Sequence, residues 1–232
     1  MTAGGAPAWR CLRAVLFDMD GTLVDTEGLW WRATERVAAR LGHRLAGEDA
    51  PDVLGRPVEH TAAHLHRLTG RPVAGIAAEL HVRFARLVAA DLVPRPGALD
   101  LVDRVLAAGL RTALVSASPR AVVDTVIDGL GADRFTVSVA AGETPHSKPA
   151  ADPYLAAVRA LGLAPGECVA VEDTPVGVAS AEAAGIRVLA VPSAALIAPA
   201  PGRLVRDSLV GVRLADLLTF VQQFLYYHFS GD

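Results

Sequence analysis

The sequence predicts an α/β fold: a doubly wound parallel sheet whose first strand is followed by an all-helical insertion. Three observations lead there. Short apolar runs end in polar or turn-forming residues, helical patterns alternate with those runs from about residue 97 onward, and residues 25–93 carry helical spacing alone. Strands buried on both faces of a parallel sheet read as short continuous apolar runs rather than alternating ones. Alternation of such runs with helices is the pattern of a doubly wound sheet.

The runs are LRAVLF (12–17), RTALVS (111–116), CVAVE (168–172) and RVLAV (187–191). Helical patterns fill 97–108, 119–130, 150–161 and 175–184. Inside the insertion, WWRATERVAARLG, EHTAAHLHRLTG and VAGIAAELHVRFARLVAADL each space their apolar residues helically, with Gly or Pro between them. VPRPG (93–97) is the return linker, because prolines two apart resist helix formation. The division is therefore a core of residues 1–24 and 94–232 and a helical domain of 25–93. Residues 193–203 read as a surface loop, 204–210 as a short run and 213–228 as a final helix. Phe220, Phe224, Tyr226, Tyr227 and Phe229 crowd that helix. It is expected to dock on its own core in a monomer, with a dimer contact as the alternative.

Composition sets the outer limits. A chain of 232 residues, 52% of them hydrophobic, is long enough for a core domain plus an insertion. A net charge of −3 gives no electrostatic basis for binding nucleic acid or an anionic membrane. Cys11 and Cys168 are too few for a disulfide framework and read as reduced core thiols. The first ten residues lack the pattern of a signal peptide, and no apolar run approaches the roughly 20 residues that span a bilayer. A soluble, cytoplasmic protein is expected.

The chemistry is carried by four segments. DMDGTLVDTE places Asp18 and Asp20 at the carboxyl end of the first strand, where open α/β sheets hold their ligands. Gly21 permits a tight reversal after them. Phosphoryl transfer needs an anionic nucleophile, a cation to offset charge repulsion and a proton donor for the leaving oxygen, and two carboxylates can divide the first and last tasks. In VSAS, Ser116 and the adjacent backbone at Ala117 sit where a strand meets a helix start, a place suited to phosphoryl oxygens; a plain N-cap is the alternative. Lys148, in HSKPAADPY, is the one lysine of a chain that otherwise uses arginine, and a compact ammonium suits a phosphoryl group. Glu172 and Asp173 end the third run. Asp18, the backbone carbonyl of Asp20 and Asp173 would together supply the hard oxygen ligands that Mg²⁺ prefers.

In that order the four segments (hhhhDxDGT, a strand ending in Ser, Lys-Pro, hhhhED) resemble the motifs of the haloacid dehalogenase-like superfamily. The helical insertion resembles that superfamily's cap of the first type, on a Rossmann-like core. The nearest subgroup is the one containing beta-phosphoglucomutase and small sugar-phosphate phosphatases. The resemblance implies that Asp18 attacks phosphorus to form an aspartyl-phosphate, and that Asp20 first protonates the leaving alkoxide and then deprotonates water. It implies Mg²⁺ held by Asp18, Asp20 and Asp173, with Glu172 orienting metal-bound water. Ser116, Ala117 and Lys148 would grip the phosphoryl oxygens, and the cap would read the organic part of a small phosphorylated metabolite.

Cap readers are expected among Glu27, Trp30, Trp31, Arg56, His60 and His64. The last two have i, i+4 spacing, which can bind a metal, but exposed cap histidines account for them as well. A mutase of the subgroup carries a histidine shortly after the first motif, where this chain has Trp30, and lysine in the cap, where this chain has none. VDTEGLWWRA is instead similar to the flank of hexose- and polyol-phosphate phosphatases, so hydrolysis is expected over phosphosugar isomerisation. Asp20 argues against a dehalogenase, and the lysine-free cap against an imine-forming phosphonate hydrolase. A non-catalytic phosphometabolite-binding regulator on the same fold is the alternative of another class.

Overall fold

The computed structural model describes residues 12–193 and 195–229, and for residues 222–229 the course of the helix alone. Six parallel strands form one sheet: β1 (Ala14–Phe17), β2 (Arg111–Val115), β3 (Val137–Val139), β4 (Cys168–Glu172), β5 (Arg187–Ala190) and β6 (Arg203–Val205). Their order is β3-β2-β1-β4-β5-β6. The chain builds outward on one side of β1 and then on the other, so the order reverses between β1 and β4, and ligands of such sheets bind outside the carboxyl ends at that reversal. Register puts Phe17 opposite Val171, and the Asp18 N–H donates to the Val171 carbonyl at 2.9 Å. Asp18, just beyond β1, and Glu172, the last residue of β4, thus emerge side by side.

Strand alternation explains the two layers of helices. Val15, Phe17, Val169, Val171 and Leu189 face one apolar cluster, which α5 (Ala98–Ala107), α6 (Arg120–Leu130) and α9 (Leu214–Phe229) complete with Leu101, Val105, Val123, Val126, Leu217 and Val221. Ala14, Leu16, Ala170 and Val188 face the other, closed by α7 (Asp152–Leu161) and α8 (Pro175–Ala183) through Tyr154, Val158, Val178 and Ala181. Buried Leu217 and Val221 show the final helix docked on its own core. Phe220 lies half-buried in it, while Phe224, Tyr226, Tyr227 and Phe229 lie outside the residues whose side chains are described, as Cys11 lies outside the described chain.

Four helices separate β1 from α5: α1 (Glu27–Arg40), α2 (Ala50–Val53), α3 (Val58–Thr69) and α4 (Val73–Asp91). They enclose a cluster of their own, with Val37, Val53, Ala62, Leu65 and Leu80 fully buried. The two connectors run side by side: the Asp25 N–H donates to Val93 O at 3.0 Å and the Arg95 N–H to Leu23 O at 2.8 Å. Trp30 joins both clusters, its ring edge-on to Phe84 at 5.3 Å.

Apart from the 204–210 run, the helical patterns and apolar runs of the sequence match elements to within two residues, except that α1 begins three residues before its pattern. Two short elements carry no such pattern. β3 has three residues, two of them half-exposed, and α2 is a single turn. β6 begins at Arg203 and stops at Val205, shorter than the expected 204–210, because it is an edge strand with half-buried side chains. No helix among the described residues is long and apolar enough to cross a membrane.

Candidate active site

The site begins where β1 ends. Asp18 is buried at the strand terminus, and the chain then turns back through Gly21, whose N–H donates to Val24 O at 2.9 Å. Gly21 has φ +84°, and a Cβ there would lie 2.1 Å from Asp173 Oδ2. Glycine is therefore required twice, for the left-handed backbone and for the close approach of the two loops. At the end of β4, Thr174 caps α8 by accepting the Gly177 N–H at 3.1 Å. A Cβ on Gly177 would sit 1.9 Å from Glu172 Oε2, so a bare helix turn makes room for that carboxylate.

Lys148 reaches in from the loop before α7. Its ammonium donates to Asp18 Oδ1 at 2.6 Å, to Glu172 Oε1 at 2.7 Å and to the Val115 carbonyl at 2.9 Å. The Tyr154 hydroxyl donates to the same Glu172 oxygen at 2.7 Å, and its ring lies 5.2 Å from the ammonium. The Ser193 hydroxyl donates to Asp173 Oδ2. One oxygen of each of Asp18, Glu172 and Asp173 lies within 4.8 Å of the others. Each of the three carboxylates also keeps one buried oxygen, Asp18 Oδ2, Glu172 Oε2 and Asp173 Oδ1, that accepts no hydrogen bond from a described residue.

Charge and burial point the same way. Burial pushes the Asp18 carboxyl well above the ordinary range against the pull of Lys148, with Glu172 and Asp173 adding to the rise. Burial likewise raises Asp173 to about 6, opposed by the Ser193 hydrogen bond. Burial works against the Lys148 charge, but Asp18 and Glu172 outweigh it and hold the ammonium above its usual range. Three carboxylates facing one ammonium leave an excess of negative charge in a buried place. Unpaired buried acceptors cost roughly 1–3 kcal/mol each, more when charged. A hard divalent cation answers both conditions, since it prefers carboxylate and carbonyl oxygens. The donor set fits such an ion.

Asp20 stands apart from this group. Its Oδ2 accepts from Ser116 Oγ at 3.0 Å and from Ser118 Oγ at 2.8 Å, and the Ser118 N–H donates to Ser116 Oγ at 2.9 Å. Ser116, expected to hold phosphoryl oxygens, here orients the second aspartate. Ala117 is exposed in the same loop.

The expected cap readers are partly committed elsewhere. Glu27 is half-buried and accepts the Gly55 N–H at 3.1 Å; burial raises its carboxyl, as do the charges of Asp20 and Asp25. The Trp30 indole N–H donates to Val53 O at 2.9 Å, and the Arg56 guanidinium turns back to Pro51 O at 2.9 Å. His60 pairs with Asp52 at 2.8 Å. His64 is buried, not exposed, with Nε2 2.7 Å from Asp49 and Nδ1 3.3 Å from Arg67. The i, i+4 histidines therefore engage aspartates on α2 and the turn before it instead of sharing a metal.

Comparison with known proteins agrees with this arrangement. Residues 12–185 match the model of the haloacid dehalogenase-like hydrolases. The chain belongs to that family. It is 38% identical to the protein CbbY of Rhodobacter capsulatus over 78% of its length and 86% of the relative's. It is also 38% identical to hexitol phosphatase A of Escherichia coli, over 78% of this chain and 83% of that one. Among solved structures, CbbY from Rhodobacter sphaeroides in complex with phosphate superposes with a TM-score of 0.77 at 30% identity, covering 89% of this chain and 99% of that chain.

For this haloacid dehalogenase-like enzyme, sequence reasoning singled out Asp18, Asp20, Ser116, Lys148, Glu172 and Asp173, and all six meet at one rim of the sheet. It missed Ser118, Tyr154, Ser193 and Gly177. Ser118 could have been found from its place two residues after Ser116 at the helix start. Tyr154 lies in the first turn of α7, six residues past a lysine held in a loop, and carries no local signal. Ser193 lies twenty residues beyond Asp173 in sequence and carries no local signal.

Proposed function

We propose that this hydrolase is a Mg²⁺-dependent phosphatase of a small phosphate monoester, a sugar or polyol phosphate, working through an aspartyl-phosphate on Asp18. The observation that carries the reading is the Lys148 ammonium bound to Asp18 and Glu172 beside Asp173, a buried acidic group with charge to spare. Asp18 Oδ2, unbonded and buried, is the attacking atom: it forms a bond to phosphorus as the phosphorus–alkoxide bond breaks. Asp20 gives its proton to the departing alkoxide. It then takes a proton from the water that attacks phosphorus, which releases inorganic phosphate and restores Asp18. Ser116 and Ser118 hold one oxygen of Asp20 and leave the other free for that proton. Lys148 draws Asp18 toward its anionic form against the effect of burial and offsets the charge of the transferring group, together with the backbone at Ala117.

Mg²⁺, when bound by Asp18, Asp173 and the Asp20 carbonyl, with Glu172 beside it, supplies positive charge against the phosphoryl oxygens. The helical domain of 25–93 serves as the cap that selects the substrate, with Glu27, whose carboxyl feels the charge of Asp20, as a reader. Similarity to hexitol phosphatase A and the LWW flank support a sugar or polyol phosphate. Burial pushes the Cys168 thiol up to about 12 and so keeps it unreactive. The test is hydrolysis of p-nitrophenyl phosphate. Turnover is expected with Mg²⁺, none with EDTA, and a loss of at least about a thousandfold in Asp18→Asn with retained folding. A folded Asp18→Asn protein that keeps wild-type turnover sinks the reading.

A further inference from the structure

Outside the site, one guanidinium joins the two loops that deliver its parts. Arg120 opens α6, four residues after Ser116. Its Nε and Nη2 donate to the two oxygens of Glu143 at 2.7 and 2.6 Å, a bidentate fork. Nη1 donates to Ser138 Oγ at 2.8 Å and to Asp124 at 3.1 Å, and Nη2 reaches the Ser138 carbonyl at 3.4 Å. An arginine has five N–H donors, and here there are five acceptors. Glu143 in turn accepts the Ala140 N–H at 2.8 Å, which folds the start of the loop that ends at Lys148. The same loop is pinned to the one after β2 by the Ala141 N–H, which donates to Ser118 O at 3.0 Å.

This outlay is not explained by stability. Both side chains are more than a third exposed, and pairs so placed contribute only about 0–1 kcal/mol. What the fork adds is direction, because a planar guanidinium fixes its partner in plane and in register. It connects the first turn of α6, strand β3 and the loop after β3. One loop carries Ser116 and Ser118, which hold Asp20; the other carries Lys148, which holds Asp18.

We propose that Arg120 and Glu143 form a positioning clamp that sets the loop of residues 140–149, and with it Lys148, against the loop of residues 116–119. The inference rests on the phosphatase reading. The clamp touches no reacting atom, and it acts through the placement of Lys148. A misplacement of around an ångström by a change distant from the chemistry can cost up to about a hundredfold in rate.

The test combines steady-state kinetics on p-nitrophenyl phosphate with Mg²⁺ and hydrogen exchange of the full chain. Arg120→Ala and Glu143→Ala are each expected to lower kcat about tenfold, with KM within about twofold. The double variant is expected to be no worse than the weaker single one, since the pair works as a unit. Arg120→Lys, which keeps the charge and loses the fork, is expected to recover little of the loss. Exchange is expected to speed up within 140–149 while β1 and β4 stay protected, which separates a loosened loop from general unfolding. A kcat within twofold of wild type in Arg120→Ala, multiplicative losses in the double variant, or full recovery in Arg120→Lys each overturns the clamp. If the wild type itself fails to hydrolyse the ester, the phosphatase reading falls. The clamp is then decided by exchange alone, and unchanged protection of 140–149 in Arg120→Ala overturns it.

Discussion

Two glycines at the site have a reason that neither turn propensity nor flexibility supplies. Gly177 is helical, yet a methyl group there would overlap the carboxylate of Glu172, and Gly21 has no room for one beside Asp173. Glu172 is held by Lys148 and Tyr154 and cannot retreat without breaking both hydrogen bonds. Ala at 177 is ordinarily the better helix former by up to about 1 kcal/mol. The structure reverses that preference. Gly177→Ala is expected to lower kcat more than tenfold and, if the proposed Mg²⁺ binds beside Glu172, to raise the Mg²⁺ concentration needed for half-activation. Kinetics against Mg²⁺ concentration check this, and unchanged values in the alanine variant would show that Glu172 is placed by something else.

At the scale of elements, the cap is held together by a polar hub. Asp49 precedes α2, is buried, and accepts the Ala46 N–H at 2.8 Å and His64 Nε2 at 2.7 Å, with His43 at 3.5 Å. Burial acts to raise its carboxyl, but the Ala46 N–H and the two histidines outweigh burial and hold it below the ordinary range. A carboxyl lowered on folding stabilises the folded state above its unfolded value, about 3.9, and that contribution fades as pH falls through the lower folded value. Asp49→Asn is therefore expected to lower the thermal midpoint at pH 7, and the gap to wild type to close below about pH 4. Melting curves across that range measure it; a gap that persists in acid would assign the loss to packing. The hub also bears on Glu27, because α2 leads into Gly55, whose N–H donates to that carboxylate.

For the molecule as a whole, what could be read beforehand follows from how local each signal is. β1, β2, β4 and β5 are buried on both faces, so their apolar runs stand out, and α5, α6 and α7 show one apolar face each. β3 and β6 are edge strands with half-exposed side chains and lack that contrast. Asp18, Asp20, Glu172 and Asp173 were visible because strand ends in this topology collect at one rim, and Lys148 because it is the one lysine of the chain. Tyr154, Ser193 and the Arg120–Glu143 pair were not, since each acts on a partner brought near by the fold and not by spacing. The cap readers were the least accessible. Trp30, Arg56 and His60 look like binding residues by type, and the fold gives each an internal hydrogen-bond partner instead.

The proposed mechanism requires Asp18 to attack phosphorus first, at a rim where residues from three stretches of chain share one buried charge cluster. Rapid acid quench during turnover of a radiolabelled phosphate monoester, followed by peptide mapping, addresses that directly. Acid-stable, hydroxylamine-sensitive label on the peptide containing Asp18, absent in Asp18→Asn, is the expected result. Label on a peptide carrying Ser116 or a histidine, or steady turnover in Asp18→Asn, would contradict it.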